Sequence, residues 1–172
     1  MRKKLMIYTL LGILFTSIVG TLSHFLYEWS GNNFYIGFVT PVNETTWEHM
    51  KMIFFPMFLY CCFENIMLKK HYPSIICANA VAILIGTFSI PAIFYTYTGI
   101  LGTNHIVLDI ATFYISIIIA FTFSRFLTKK KISNVHCRWL EAVVLLILLC
   151  FIIFTVYPQD IGIFRVPQNH SG

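Results

Sequence analysis

Three pairs of ionisable residues repeat one spacing along an otherwise strongly apolar chain: His24 with Glu28, Glu44 with Glu48, and His105 with Asp109. Residues four apart share a helix face, so each pair would project in one direction from its own helix. His49, beside Glu48, adds a third imidazole. Imidazoles and carboxylates gathered from separate segments can hold Zn²⁺ or another divalent ion and leave a position open for water, with a further carboxylate as general base. On this reading His24, His49, His105 and Asp109 are the metal ligands, and Glu48 with Glu44 supplies the catalytic carboxylates. The same groups could instead relay protons or hold a cationic substrate. No His-Glu-x-x-His string occurs, so the metal reading requires the four ligands to meet in one small cavity.

Simpler chemistry competes at each pair. Thr45 and Glu48 fit a Thr-x-x-Glu capping box, with Asn43 as a second cap, so the two glutamates would neutralise a helix N-terminus. His24 and Glu28 fit an interfacial ion pair beside Tyr27 and Trp29. Asp109 is harder to place this way. It sits one turn inside an apolar helix, where a carboxylate costs about 2.5–3.5 kcal/mol near the membrane centre and therefore needs a partner. Tyr95 and Tyr97 could donate hydrogen bonds to a substrate or anchor at headgroups. With Trp47 and Asn43 they form the expected substrate-binding set.

The elements that must position these groups follow from composition. The chain is 58% hydrophobic and 11% charged, with mean hydropathy +0.76, which leaves too little polar surface to clothe a soluble domain. Several apolar runs reach the roughly 20 residues that cross about 30 Å of hydrocarbon, and none alternates with a period of two. The expected fold is an all-α, polytopic bundle of five transmembrane helices in one membrane domain, residues 1–172, with helices at about 5–27, 50–68, 74–94, 105–127 and 139–156. Pro56 should bend the second. Residues 30–46 read as a loop whose apolar stretch 34–39 is too short to cross, and 98–104 as a short connection. The first run continues to Trp29 with aromatic and charged residues where a leader-cleavage site would lie, which favours a retained helix over a signal peptide.

Charge sets the expected orientation. Of twelve Lys and Arg, ten (Arg2, Lys3, Lys4, Lys69, Lys70, Arg125, Lys129, Lys130, Lys131 and Arg138) fall on one side, against Lys51 and Arg165. The positive-inside rule then puts the N-terminus in the cytoplasm and the C-terminus outside, with the His and Asp residues at the outer face. The formal charge of +5 forms no basic face suited to nucleic acid. Near the inner side, Glu64 and Asn65 should pair with Arg125, and Glu141 with Arg138. No Cys-x-x-Cys occurs among five cysteines, none is placed for an exported disulfide, and each is expected to act as a small buried hydrophobe. Asn43-Glu44-Thr45 and Asn169-His170-Ser171 match glycosylation acceptors, a pattern without meaning in a bacterial protein.

Four segments carry a resemblance: His-Phe-Leu-Tyr-Glu-Trp-Ser-Gly at 24–31, Pro-Val-Asn-Glu-Thr-Thr-Trp-Glu-His at 41–49, Phe-Tyr-Thr-Tyr-Thr-Gly-Ile-Leu-Gly at 94–102, and Tyr157-Pro158 with Phe164-Arg165. Through them the chain resembles a family of small bacterial multi-pass membrane proteins of unknown function. The resemblance implies a bundle with short loops in the bacterial cytoplasmic membrane and supplies no activity. Three functions therefore stay open. One is a metal-dependent hydrolase or transferase acting on a lipid or small amphiphile, with a divalent metal such as zinc. Another is a small transporter, or the substrate-binding membrane subunit of one. The third is a noncatalytic membrane assembly partner. Membrane lipids are the expected surroundings, with a homo-oligomer or a transporter partner subunit as the protein partner.

Overall fold

A chain this apolar must satisfy its backbone within its own segments, and a helix does so residue by residue. The computed structural model describes residues 2–130 and 137–167; Lys131 and the Asn169-His170-Ser171 acceptor lie outside them. Among the described residues all regular structure is helical. The order is α1 (Arg2–Trp29), the single turn α2 (Phe34–Gly37), α3 (Thr46–Leu68), α4 (Ile75–Leu101), α5 (Ile106–Lys130) and α6 (Cys137–Val156), then a 3₁₀ turn at Gly162–Phe164. The five long helices are each long and apolar enough to cross a membrane.

α3 is the centre of the bundle. It packs on α1, α4 and α5, and Phe54 meets Phe151 of α6 at 5.0 Å between ring centroids. Side chains around its circumference are buried, among them Met50, Ile53, Phe54, Met57 and Tyr60. α1 and α6 are one-sided by contrast, with Leu10, Leu14, Leu145 and Leu149 exposed on the faces a membrane would wet with lipid. Where lipid is as apolar as leucine, close helix contact depends on small residues. Gly20 is such a residue: a Cβ there would stand 2.5 Å from the Met52 carbonyl oxygen of α3.

Helices alternate in direction, so their ends sort into two sets. Lys4, Lys69, Lys70, Lys129 and Lys130 gather at one end, termed the basic end; His24, His49 and Asp109 lie at the other. α4 runs past its expected finish at residue 94 to Leu101, with the Thr96 and Thr98 hydroxyls donating to the carbonyls of Ala92 and Phe94 along that extension. It stops at Gly102, whose φ of +75° lets its N–H close on Thr98. The apolar stretch 34–39 forms α2, capped by Asn33.

At the basic end three expectations are corrected. Glu64 meets Asn79 instead of Arg125: the Asn79 amide donates to Glu64 Oε2 at 3.0 Å and to Asn65 Oδ1 at 2.9 Å, and the Ser124 hydroxyl donates to Asn79 Oδ1. Ser124 is the α5 residue that faces α4, so Arg125, about 100° further round the helix, is turned away. Arg138 and Glu141 are both exposed and form no ion pair among the described residues. Cys77 and Cys137, at the starts of α4 and α6, are bridged as a disulfide with Cα atoms 4.9 Å apart, because the two helices begin side by side.

Gly20→Ala should force α1 away from α3, and overpacking of this kind costs about 1–3 kcal/mol. Thermal unfolding of the purified protein in detergent should show a lowered midpoint. An unchanged midpoint would mean that α1 does not need this contact.

Candidate functional site

The loop before α3 sets the site. Asn43 Oδ1 accepts the Thr45 N–H at 3.1 Å, and Thr45 Oγ1 caps α3 by accepting the Glu48 N–H at 3.4 Å. Three consecutive residues then point in different directions, about 100° apart. Trp47 packs against Phe151 and Phe164, at 4.7 and 4.9 Å between ring centroids, in the core rather than in a ligand cavity. Glu48 turns inward, and His49 turns towards α1.

His49 Nδ1 lies 2.9 Å from the Thr45 carbonyl oxygen. A carbonyl only accepts, so Nδ1 carries the proton. That leaves Nε2 facing Glu44 Oε2 at 3.3 Å. An ionised carboxylate also only accepts, so Nε2 either bears a second proton or gives its lone pair to a cation shared with Glu44. His24 approaches from the end of α1, with Nε2 3.9 Å from Glu44 Oε1 and its ring centroid 5.4 Å from that of His49. Its Nδ1 is buried without a hydrogen-bond partner. One ligand atom from each of His24, Glu44 and His49 lies within 4.8 Å of the others, a spacing that one divalent ion could bridge. The hydrogen bond from His49 is the main cause holding the Glu44 carboxyl below the ordinary carboxylate range, against partial burial and with smaller electrostatic help from both imidazoles.

These three residues border a cavity of about 930 Å³ that also has Asp109 in its wall. Asp109 accepts from the Tyr97 hydroxyl at Oδ1 and from the Asn104 amide at Oδ2, 3.3 Å away. Phe25, Met52, Ile90, Phe94 and Phe113 supply the apolar lining. His105 is exposed and outside this lining. It precedes the first residue of α5 and lends its carbonyl to the Asp109 N–H, so the four-residue spacing does not put both side chains on one helix face. Of the four expected ligands, His24, His49 and Asp109 therefore share the cavity. Glu44, expected as a catalytic carboxylate, stands among the imidazoles. Glu28 is exposed and borders a smaller cavity of about 340 Å³ that Asn43 also lines. Tyr95 is exposed, outside both linings.

Glu48 serves a different partner. Only 2% exposed, it accepts from Lys51 Nζ at 2.6 Å and from the Val42 N–H at 3.0 Å. Lys51, fully buried, also donates to the Gly37 carbonyl at 3.0 Å and to Thr155 Oγ1 at 2.6 Å. Charge counting treats Lys51 as an exception to orientation. Its position three residues after Glu48, on an apolar helix, was the signal for an internal pair.

The Glu44 carboxyl titrates lower in the folded protein than in the unfolded chain. Its interaction with the imidazoles is therefore complete above the ordinary carboxylate value and is lost as pH falls through the lower folded value. A carboxylate infrared or NMR titration of Glu44 should show this low midpoint, and His49→Gln should move it upward. A midpoint unmoved by that substitution would separate the two residues.

Comparison with curated proteins and with solved structures finds no match. The model of a family of unknown function, DUF6512, matches residues 1–170, and the chain belongs to that family.

Proposed function

We propose that this protein is a metal-dependent hydrolase or transferase of the membrane that acts on a lipid or small amphiphile, with His24, Glu44 and His49 holding a divalent ion such as zinc. The observation that carries this reading is the convergence of two imidazoles and a carboxylate, from α1, the loop and α3, on the wall of one largely apolar cavity. Two histidines and a glutamate form a three-ligand set with room for water, the pattern of catalytic rather than closed structural zinc sites. A bound ion would supply a Lewis acid and an activated water.

The chain's own residues do the rest. The Thr45 carbonyl fixes the His49 tautomer so that Nε2 is the coordinating atom. Glu48, through the Val42 N–H, holds the loop that presents Glu44. The apolar lining accepts a hydrocarbon chain and limits water. Transport is less favoured because Glu64, the carboxylate a path from the basic end would use, is only 2% exposed and capped by Asn79.

In this proposal the basic end faces the cytoplasm of a bacterial cell and the cavity faces outward, so the Cys77–Cys137 pair lies on the reducing side and closes as a bridge only under oxidising conditions. Lys51 no longer counts against that orientation, since it is neutralised inside the protein, and Arg165 is paired with Asp160 at 2.8 Å.

Elemental analysis of protein purified without chelator should find about one zinc, or other divalent ion, per chain. His24→Ala and His49→Ala should each weaken zinc binding by at least the roughly tenfold that loss of an outer-shell partner costs, since each removes one of three ligands, while His105→Ala should leave it unchanged. Wild-type protein that neither retains nor takes up a divalent ion would overturn the proposal.

A further inference from the structure

The proposed metal site uses His24, Glu44 and His49 and leaves one ionisable group of the cavity without a role. Asp109 is half-buried in its wall, on a helix otherwise suited to lipid. Its two hydrogen-bond donors, the Tyr97 hydroxyl and the Asn104 amide, are neutral. They fix where the carboxylate points without cancelling its charge. Among the described residues no side chain forms an ion pair with it, and the one imidazole its charge reaches, His49, is already occupied by Glu44. Each carboxylate oxygen can accept a second bond, and the open side of this one is the cavity.

The neighbouring walls favour a cation there. Phe94 lines the same space and packs on Tyr97, the phenol bound to Asp109, at 5.6 Å between ring centroids, and an aromatic ring beside a carboxylate suits a positive group, most where water is scarce. The opposite character prevails at the His24–Glu44–His49 trio, where a divalent ion would draw an anion. One cavity thus carries a negative pole and, once metal is bound, a positive one.

Its surroundings point to where such a ligand comes from. Phe25 of α1 and Ile106 and Ile110 of α5 line the cavity, yet they are 43%, 75% and 53% exposed on helices suited to a membrane. The space therefore opens sideways between α1 and α5. Deeper between the same helices, the Thr21 and Tyr114 hydroxyls are 3.3 Å apart and bridge the gap. A hydrocarbon chain can lie in that opening while its head is inside.

We infer that the ligand is a zwitterionic membrane lipid, its ammonium group on Asp109 and its phosphate towards the trio, an assignment that rests on the proposed metal site for the phosphate and on Asp109 alone for the ammonium.

The test uses zinc-loaded full-length protein in detergent, with binding followed by calorimetry. The probes are dihexanoyl phosphatidylethanolamine, dihexanoyl phosphatidylglycerol, which lacks the ammonium, and O-phosphoethanolamine, which lacks the chains. The ethanolamine lipid should bind roughly tenfold or more tightly than the glycerol lipid, and the chainless headgroup should be weaker than the ethanolamine lipid by a similar factor. Asp109→Asn should abolish the preference between the two lipids while zinc binding persists, and Asp109→Glu should retain it. Equal binding of the two lipids by the wild type overturns the ammonium subsite, and that comparison needs no variant to fold. A preference that survives in a zinc-binding Asp109→Asn protein also overturns it. Chainless headgroup binding as tightly as the lipid overturns the lipid class. An ethanolamine preference that depends on Asp109 and persists without zinc supports the ammonium subsite, while affinity for both lipids that is unchanged on zinc removal overturns the placement of the phosphate at the trio; whether the trio binds metal is read separately by the elemental analysis.

Discussion

A fully buried ammonium group organises one end of this bundle. An isolated charge away from water is very costly, and it is tolerated only when geometry and hydrogen bonding compensate it completely. Lys51 has three donors, and three acceptors meet them: the Glu48 carboxylate, the Gly37 carbonyl and the Thr155 hydroxyl. Those acceptors belong to α3, the end of α2 and the end of α6. A single charge therefore ties together three segments, two of which, α3 and α6, also meet through the rings of Trp47, Phe54 and Phe151. Removing one partner of such a buried pair costs about 3–5 kcal/mol, because the remaining charge is left uncompensated.

The consequence reaches the cavity through Glu48, whose carboxylate accepts the Val42 N–H and so holds the loop two residues before Glu44. His49, the next residue along α3, faces the other way and is itself oriented by the Thr45 carbonyl. One helical turn thus anchors the loop with one side chain and meets the loop's carboxylate with its neighbour. The exposed Glu44 could not hold its place by its own packing. A mobile loop carboxylate would lose its register with His24 and His49, and this one is steadied from behind by a buried ion pair.

The membrane architecture was legible because hydropathy over some twenty residues is a long signal. The five long helices follow the apolar runs, and disagreement is concentrated where short signals decide. α4 outlasts Phe94 because no residue before Gly102 turns the chain out of the helix, and Gly102 does so by adopting the left-handed conformation. The site was half legible. Four-residue spacing singled out His24 and Asp109, and His49 stood out as the imidazole beside Glu48, but equating spacing with a shared face fails at His105, which lies before its helix begins. Glu44 was noticed and given another part, since nothing local says that a loop residue will cross to α1. Lys51 was misjudged for a similar reason: charge counting treats every lysine as solvated, and this one is wholly inside.

The bridge between Cys77 and Cys137 joins residues 60 positions apart and makes the intervening chain a covalent ring that contains all of α5 and most of α4. A single backbone cut within that ring, however made, would not divide the molecule into two. While the bridge is intact, a nicked chain keeps the mass of a whole one, and the pieces part only on reduction. The connection between α5 and α6 is thus backed by a second covalent path at the end of the bundle farthest from the cavity.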